Sequence, residues 1–439
     1  MSSKHWEKSR VRDLSYSRRR PETTNLYRIV NSSHERLEWE WGSRYEQEFG
    51  YFRKVVEKSF REYLKCGILE HGCARLSCSA RGCTGGGVVA FSCKKRLVCP
   101  SCAAKRALIF AEHLHENLLG EVPIRHMVFS IPKRLRPFFK YSRKNNTLLF
   151  RASWETIQAL YREVLPEGVP GVVQVLQTAG GSLNFNPHLH DLVTAGVFAE
   201  DGSFHSLDYV NENKATEYFA HRVLHHMQKA SLIAEEVTRQ ILSQKHSGFS
   251  VWAGPIIPPE DSDTRHFLAR YIDRGPIVLD KISIEHDIIT YETDDALTHE
   301  FDGTEFLARL SQHIPNRYES IVRYYGAWSY RYRGEQKKKA PQDIEIQPVP
   351  EEFSKKKASR AWAALIKKVY LVDPLVCPKC GEQMKIVEFP QNPKDILALC
   401  ESLKIPQFKA PPLLRAPPES YLVDPDMEIE NENQEYWSE

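Results

Sequence analysis

Residues 184–194 read NFNPHLHDLVT, and the alternation inside that stretch decides how the middle of the chain is built. Side chains on a strand point to opposite faces in turn, so His188 and His190 share one face while Leu189 takes the other, into the core. Two imidazoles on one face stand near enough to share one metal ion. Two histidines simply packed in a sheet would show the same spacing, so His-x-His needs a partner before it means chemistry.

The flanking stretches carry the same strand signal. RHMVFSIP (125–132), VVQVLQT (172–178) and HLHDLVTAGVF (188–198) read as strands, with a Gly-Gly turn before the last. SWETIQALYREVLP (153–166) and TEYFAHRVLHHMQKASLIAEEVTRQIL (216–242) carry apolar residues at helical spacing. Pro-rich GPIIPPE leads to DTRHFLARYIDRGPI (263–277), then a shorter strand pair and the helix FLARLSQHI (306–314). Upstream, residues 23–66 read as helices, a Cys-rich stretch broken by three glycines follows, and KRALIFAEHLHENLL (105–119) resumes helix. Hairpins mixed with helices make the fold class α+β.

At 439 residues the chain exceeds the roughly 100–200 typical of one domain. Its divisions are a basic arm and helix (1–50), a Cys-rich domain (51–118), a central domain (119–335), a linker with a small helical C-terminal unit carrying the turn CPKC (336–420), and an acidic tail (421–439). No apolar run approaches the roughly 18 residues that span a bilayer, and no apolar stretch follows the basic start, so a cytoplasmic protein with no membrane partner is expected. Residues 416–439 hold eight acids and no Lys or Arg, leaving 60 basic against 49 acidic residues in the rest. A basic body is a pointer to nucleic acid.

Ten cysteines are present, seven of them between Cys66 and Cys102. Clustering of this kind without a secretory signal favours thiolate–metal binding over disulfides. Four of Cys78, Cys83, Cys93, Cys99 and Cys102 would surround a structural zinc ion, with Cys99 and Cys102 the clean half-site. Residues 73–106 contain seven Lys or Arg and no acid, which suits phosphate contact and not burial. Cys377 and Cys380 offer half of a second site, or only a tight turn.

A candidate partner for the histidines is Tyr271, on a short helix between Arg270 and Arg274, and the basic flanks are what set it apart. An amphipathic helix burying Phe267, Leu268, Tyr271 and Ile272 would read the same way. A phenol of pKa about 10 is only about one part in a thousand ionised at neutral pH, so a nucleophilic Tyr needs a nearby cation or a polarised target.

Taken in order, YLKCGILEHGCARLSC, FSCKKRLVCPSCAAKR, VPIRHMVFSIPKRLR, SLNFNPHLHDLVTAGVF, FLARYIDRGPI, FLARLSQHIPNR, VRYYG and DPLVCPKCGEQMKI make the chain resemble the rolling-circle transposases of bacterial insertion sequences. These join a transposase zinc-binding domain to an HUH (His, hydrophobe, His) nuclease. The resemblance runs from about Phe52 to Pro418. It implies an antiparallel-sheet nuclease core with flanking helices, His188 and His190 holding Mg²⁺ or Mn²⁺, and Tyr271 forming a 5′-phosphotyrosine with single-stranded DNA at the element's ends and at target DNA. Lys94, Lys95, Arg96, Lys105 and Arg106 of the zinc module, with Arg270 and Arg274, would meet the DNA. Members with two tyrosines place them four apart; position 267 here is Phe, which resembles the single-tyrosine members of the common-region type. The first cysteine pair is C-x4-C where the family shows C-x2-C. A third ligand for the catalytic ion is not evident; Gln174 and Gln177 are candidates.

The aromatic-basic run RYYGAWSYRYRG (323–334) reads equally as a base-stacking surface or as a buried strand edge. A replication initiator would use the same groups, and a non-catalytic zinc-dependent DNA-binding regulator would bury them. A relaxase carries its nucleophile near the N-terminus and a helicase behind. No phosphate-binding G-x-x-x-x-G-K occurs, so no nucleotide cofactor is expected.

Overall fold

Strand-forming Val, Ile and Leu recur at alternate positions through the middle of the chain, and a sheet is what buries them on both faces. The computed structural model describes residues 20–339 and 375–404, apart from Arg96, Lys245 and 294–296. The basic arm (1–19), the stretch SRAWAALIKKVY and the acidic tail lie outside the described residues, as does the expected DNA contact Arg96.

The chain begins with α1 (Asn25–Glu40), a π-turn, α2 (Glu46–Phe49) and α3 (Lys54–Leu64), then β1 (Cys73–Cys78), β2 (Gly86–Ala90) and α4 (Pro100–Asn117). Next come β3 (Ile124–Ser130), α5 (Arg136–Lys140), α6 (Asn146–Tyr161), β4 (Gly171–Ala179), β5 (Phe185–Thr194), β6 (Gly196–Phe198) and β7 (Phe204–Ser206). They lead to α7 (Glu212–Lys229), α8 (Glu235–Ser243), β8 (Ser250–Ile257) and α9 (Ser262–Ile272). The remainder is β9 (Ile282–Glu285), β10 (Ile288–Glu292), β11 (Thr298–Phe301), α10 (Gly303–Ser311), β12 (Val322–Gly326), α11 (Tyr330–Lys339), β13 (Met384–Glu388) and α12 (Pro393–Ser402). Helices and antiparallel sheets confirm the α+β class. Among the described residues no helix is long and apolar enough to cross a membrane.

The central sheet has the order β12-β4-β5-β3-β8, every pair antiparallel. Its register sets Val128, His190 and Val175 in one row and Ser130, His188 and Gln177 in the next. One face packs Met127, Phe129, Leu189 and Val193 against Phe150 of α6 and Phe219 of α7. The opposite face packs Ile124, Val173 and Leu192 against Phe110 and Leu114 of α4 and Leu268 and Ile272 of α9. Each such side chain contributes about 1.5–3 kcal/mol by leaving water, so register is strongly held: a one-residue slip of β5 would drive Leu189 out and the histidines into the core. A further core joins Leu26 of α1, Phe60 of α3 and Phe306 of α10, roofed by the sheet β11-β10-β9.

Three expectations differ from what is observed. The long helix expected over 216–242 is broken at Ser231, whose φ of +55° ends α7 and lets α8 start afresh. The expected strand pair after α9 has three strands. Most consequential, residues 375–404 are not a separate helical unit, because β13 pairs antiparallel with β1 and completes the sheet β13-β1-β2. The run RYYGAWSYRYRG divides: Val322–Gly326 is an edge strand against β4 and Trp328 is buried, while Tyr330 begins a helix and is 71% exposed.

Candidate active site and cysteine centres

His188 and His190 sit on the face of β5 that looks toward α9, with ring centroids 5.0 Å apart. His188 donates from Nδ1 to the carbonyl of Asn186 at 2.7 Å, which leaves Nε2 with its lone pair outward. His190 is 6% exposed and its Nδ1 lies 2.9 Å from Nε2 of His126, so one proton is shared between them. His126 was not singled out in the sequence; on β3 it falls on the same face as the pair, its ring edge to edge with that of His190, the two planes 13° apart. Burial pushes His126 down to about 4. It pushes His190 down to about 2, helped by the positive charge His188, His126 and Arg274 would place beside it. Burial also lowers His188, with Arg274 and Arg136 adding to the effect. The rings are therefore neutral at pH 7, the state in which imidazole can ligate a cation.

Tyr271, about eighty residues downstream, arrives at these rings: its ring centroid is 5.7 Å from that of His190 and 6.4 Å from that of His126. Asp261 caps the start of α9 by accepting from the Thr264 amide, and the apolar stripe Leu268, Ala269, Ile272 faces the sheet. That places Tyr271 at the stripe's edge, half-buried. Gln177 of β4 donates from Nε2 to the carbonyls of Ile272 (2.8 Å) and Tyr271 (3.4 Å), fastening the last turn of α9 beside His188. The Arg274 guanidinium lies 4.4 Å from the centre of the Tyr271 ring. Phe267, one turn earlier and 61% exposed, stacks along Tyr271 within 22°. Trp252 on β8, 46% exposed, closes the other side 5.4 Å from His126. Arg270 is exposed, and Arg274 lines a cleft of about 120 Å³ at the end of α9 together with Gln177, Gly180 and Lys281.

Gln174 is turned away from the histidines. It lies on the opposite face, where its Nε2 donates to Ser153 Oγ (2.7 Å) and to Asp191 (2.9 Å), and Ser153 also donates to Asp191. Burial pushes Asp191 up to about 7.

The cysteines are shared out differently from the expected single set. Cys66, Cys93, Cys99 and Cys102 bring their sulfurs within 4.8 Å of one another, whereas Cys78 and Cys83 lie in a separate group. The reason is local: β1 and β2 carry Cys78 and Cys83 away along a hairpin, and Cys66, just after α3, fills the position left. Separations of 3.9 Å (Cys66–Cys102), 3.7 Å (Cys93–Cys102) and 3.6 Å (Cys66–Cys99) match the edge of about 3.8 Å of a tetrahedron with Zn–S near 2.3 Å. The amides of Cys93 and Lys95 donate to the sulfurs of Cys66 and Cys93, both at 3.4 Å. Cys99 stands at the start of α4, where the helix dipole favours a thiolate.

This set aims α4 at the histidine site. Arg106 reaches Asp273, beside Tyr271, at 3.6 Å. Lys94 is exposed in the turn after Cys93, Lys95 is half-buried there, and Lys105 lies on α4. Replacing Cys99 by Ser should release the ion held by this set and lower the melting temperature. Zinc content by atomic emission, unchanged in the variant, would overturn the assignment.

Comparison with known proteins follows the same division. Residues 38–131 match the family described as transposase zinc-binding domain, and residues 171–337 match that described as putative transposase. The transposase for insertion sequence element IS801 of Pseudomonas savastanoi pv. phaseolicola is 26% identical over 361 residues, covering 77% of this chain and 84% of the relative. A putative transposase of Sinorhizobium fredii is 27% identical over 290 residues, covering 59% of this chain and 71% of the relative. No solved structure matches. The matched zinc-binding domain accounts for a structural zinc ion, and with the two matched segments following one another in one chain, the protein is similar to insertion-sequence transposases over most of its length.

Proposed function

We propose that this transposase nicks and rejoins single-stranded DNA at insertion-sequence ends, by rolling-circle transposition, with Tyr271 as nucleophile. One observation carries the reading: a phenol from α9 and two imidazoles from β5, remote in sequence, meet on one face of the central sheet.

The Tyr271 phenolic oxygen attacks the scissile phosphorus. The P–O bond to the 3′ oxygen breaks, leaving a 3′-hydroxyl and a 5′-phosphotyrosine. That hydroxyl can attack the ester in reverse, so strands rejoin without ATP. His188 and His190 would hold Mg²⁺ or Mn²⁺ through Nε2; nitrogen donors fit Mn²⁺ the better of the two. Such a cation, when bound, polarises the phosphodiester and offsets developing negative charge. With its proton on Nδ1, donated to His126 Nε2, His190 presents Nε2 in the same way that His188 does through Asn186. His126 is then a positioning residue that holds one tautomer. Arg274 neutralises phosphate beside Tyr271, and exposed Phe267 and Trp252 offer faces on which unpaired bases stack. Lys94, Lys95, Lys105, Arg106 and Arg270 extend the positive track.

The test uses labelled single-stranded oligonucleotides of the element's ends with Mn²⁺ and a denaturing gel. A covalent protein–DNA band is expected. Its absence, with binding retained, would leave a DNA-binding regulator. For His126→Ala, nicking should fall by about 10–100-fold while DNA affinity holds and added Mn²⁺ restores part of the rate. An unchanged rate would remove the positioning role.

A further inference from the structure

The second cysteine group is made by parts of the chain that lie far apart. Cys78 ends β1 and Cys83 follows in the next turn, whereas Cys377 and Cys380 come from the turn that precedes β13. Their sulfurs lie within 4.8 Å of one another, with Cys78–Cys380 at 3.5 Å and Cys83–Cys377 at 4.0 Å. A disulfide needs about 2.05 Å, so these pairs are not bonded. Both distances bracket the edge of about 3.8 Å expected of four thiolates around zinc.

Three further observations point to a ligand. Backbone amides aim at the sulfurs, Ala80 N–H at Cys78 (3.4 Å) and Gly85 N–H at Cys83 (3.3 Å); a neutral thiol is a poor acceptor, a thiolate a good one. A Cβ at position 85 would sit 2.4 Å from the Cys377 sulfur and 3.2 Å from that of Cys83, so only glycine lets the main chain come this close to the group. The apolar support beneath is split in two: Leu76, Val89, Leu375, Cys377 and Met384 form a satellite core by the cysteines, and Val88 and Leu69 pack Ile396 and Leu399 of α12 in another, each a small burial for holding a chain end in place.

We propose that Cys78, Cys83, Cys377 and Cys380 hold a second zinc ion that clasps residues 375–404 to the Cys-rich sheet. The matched zinc-binding domain ends at residue 131 and contains neither Cys377 nor Cys380. Binding converts four thiols to thiolates and releases their protons, with no change of oxidation state. Lys379, whose Nζ reaches Thr84 Oγ1 at 2.9 Å, places a cation beside the resulting negative charge.

Metal content of the full-length protein, purified without chelator, tests this. Two zinc ions per chain are expected, falling to one in Cys377→Ser/Cys380→Ser. Cys380→His should keep two, which separates lost ligation from lost folding. In the zinc-loaded wild type no cysteine of this group should react with a thiol reagent until chelator is added. One zinc per chain in the wild type, four rapidly reacting thiols before chelation, or iron in place of zinc would each overturn the proposal.

Discussion

Replacing Tyr271 by Phe is expected to abolish the covalent protein–DNA complex, with the rate of strand cleavage falling by about 10⁴-fold or more, the scale seen when a nucleophile is removed. The substitution deletes one oxygen from a half-buried ring and keeps its stacking on Phe267 and its contact with Arg274. Melting temperature and affinity for single-stranded DNA should therefore change little. Position 267, where a second phenol of this helix would stand, is Phe, so no neighbour four residues away can substitute. The check is a denaturing gel with mass spectrometry of any residual adduct; an adduct of wild-type yield on another tyrosine would refute the assignment.

The second large effect is expected for His188→Ala. Loss of one imidazole should cut nicking by at least about 10³-fold, because the cation that His188 is proposed to help hold would act on the transition state more than on the bound ground state. DNA affinity, carried by phosphate contacts elsewhere, should be retained. His188 is partly exposed and its Nδ1 partner is a backbone carbonyl within reach of water, so the fold should survive the change. Parallel loss of nicking, binding and thermal stability would identify the histidine as a packing residue instead.

Much of this site was legible in the sequence because its signals are local. His188 and His190 alternate with Leu189 on one strand, whereas helical spacing alone would pack Tyr271 inward, and it is the family resemblance that pairs it with the histidines. His126 escaped notice since RHMVFSIP satisfies a buried strand whether the histidine is functional or not; only the register of β3 on β5 shows which face it takes. Trp252 was hidden for the same reason. The cysteines were misassigned because proximity in sequence stood in for proximity in space. Cys66 joins its set across the β1–β2 hairpin, and Cys78 and Cys83 find partners roughly 300 residues later, through a pairing that spacing rules do not encode.

The antiparallel match of β13 to β1 also has a bearing on shortened copies of the gene. A product ending before residue 375 would retain His126, His188, His190 and Tyr271, yet the main-chain amides and carbonyls of Arg75 to Cys78 would lose the neighbour they now have. An unpaired strand margin of that kind recruits other chains. Such truncated proteins should accumulate as insoluble material, so an interrupted element would be silenced by self-association even with its reactive groups intact.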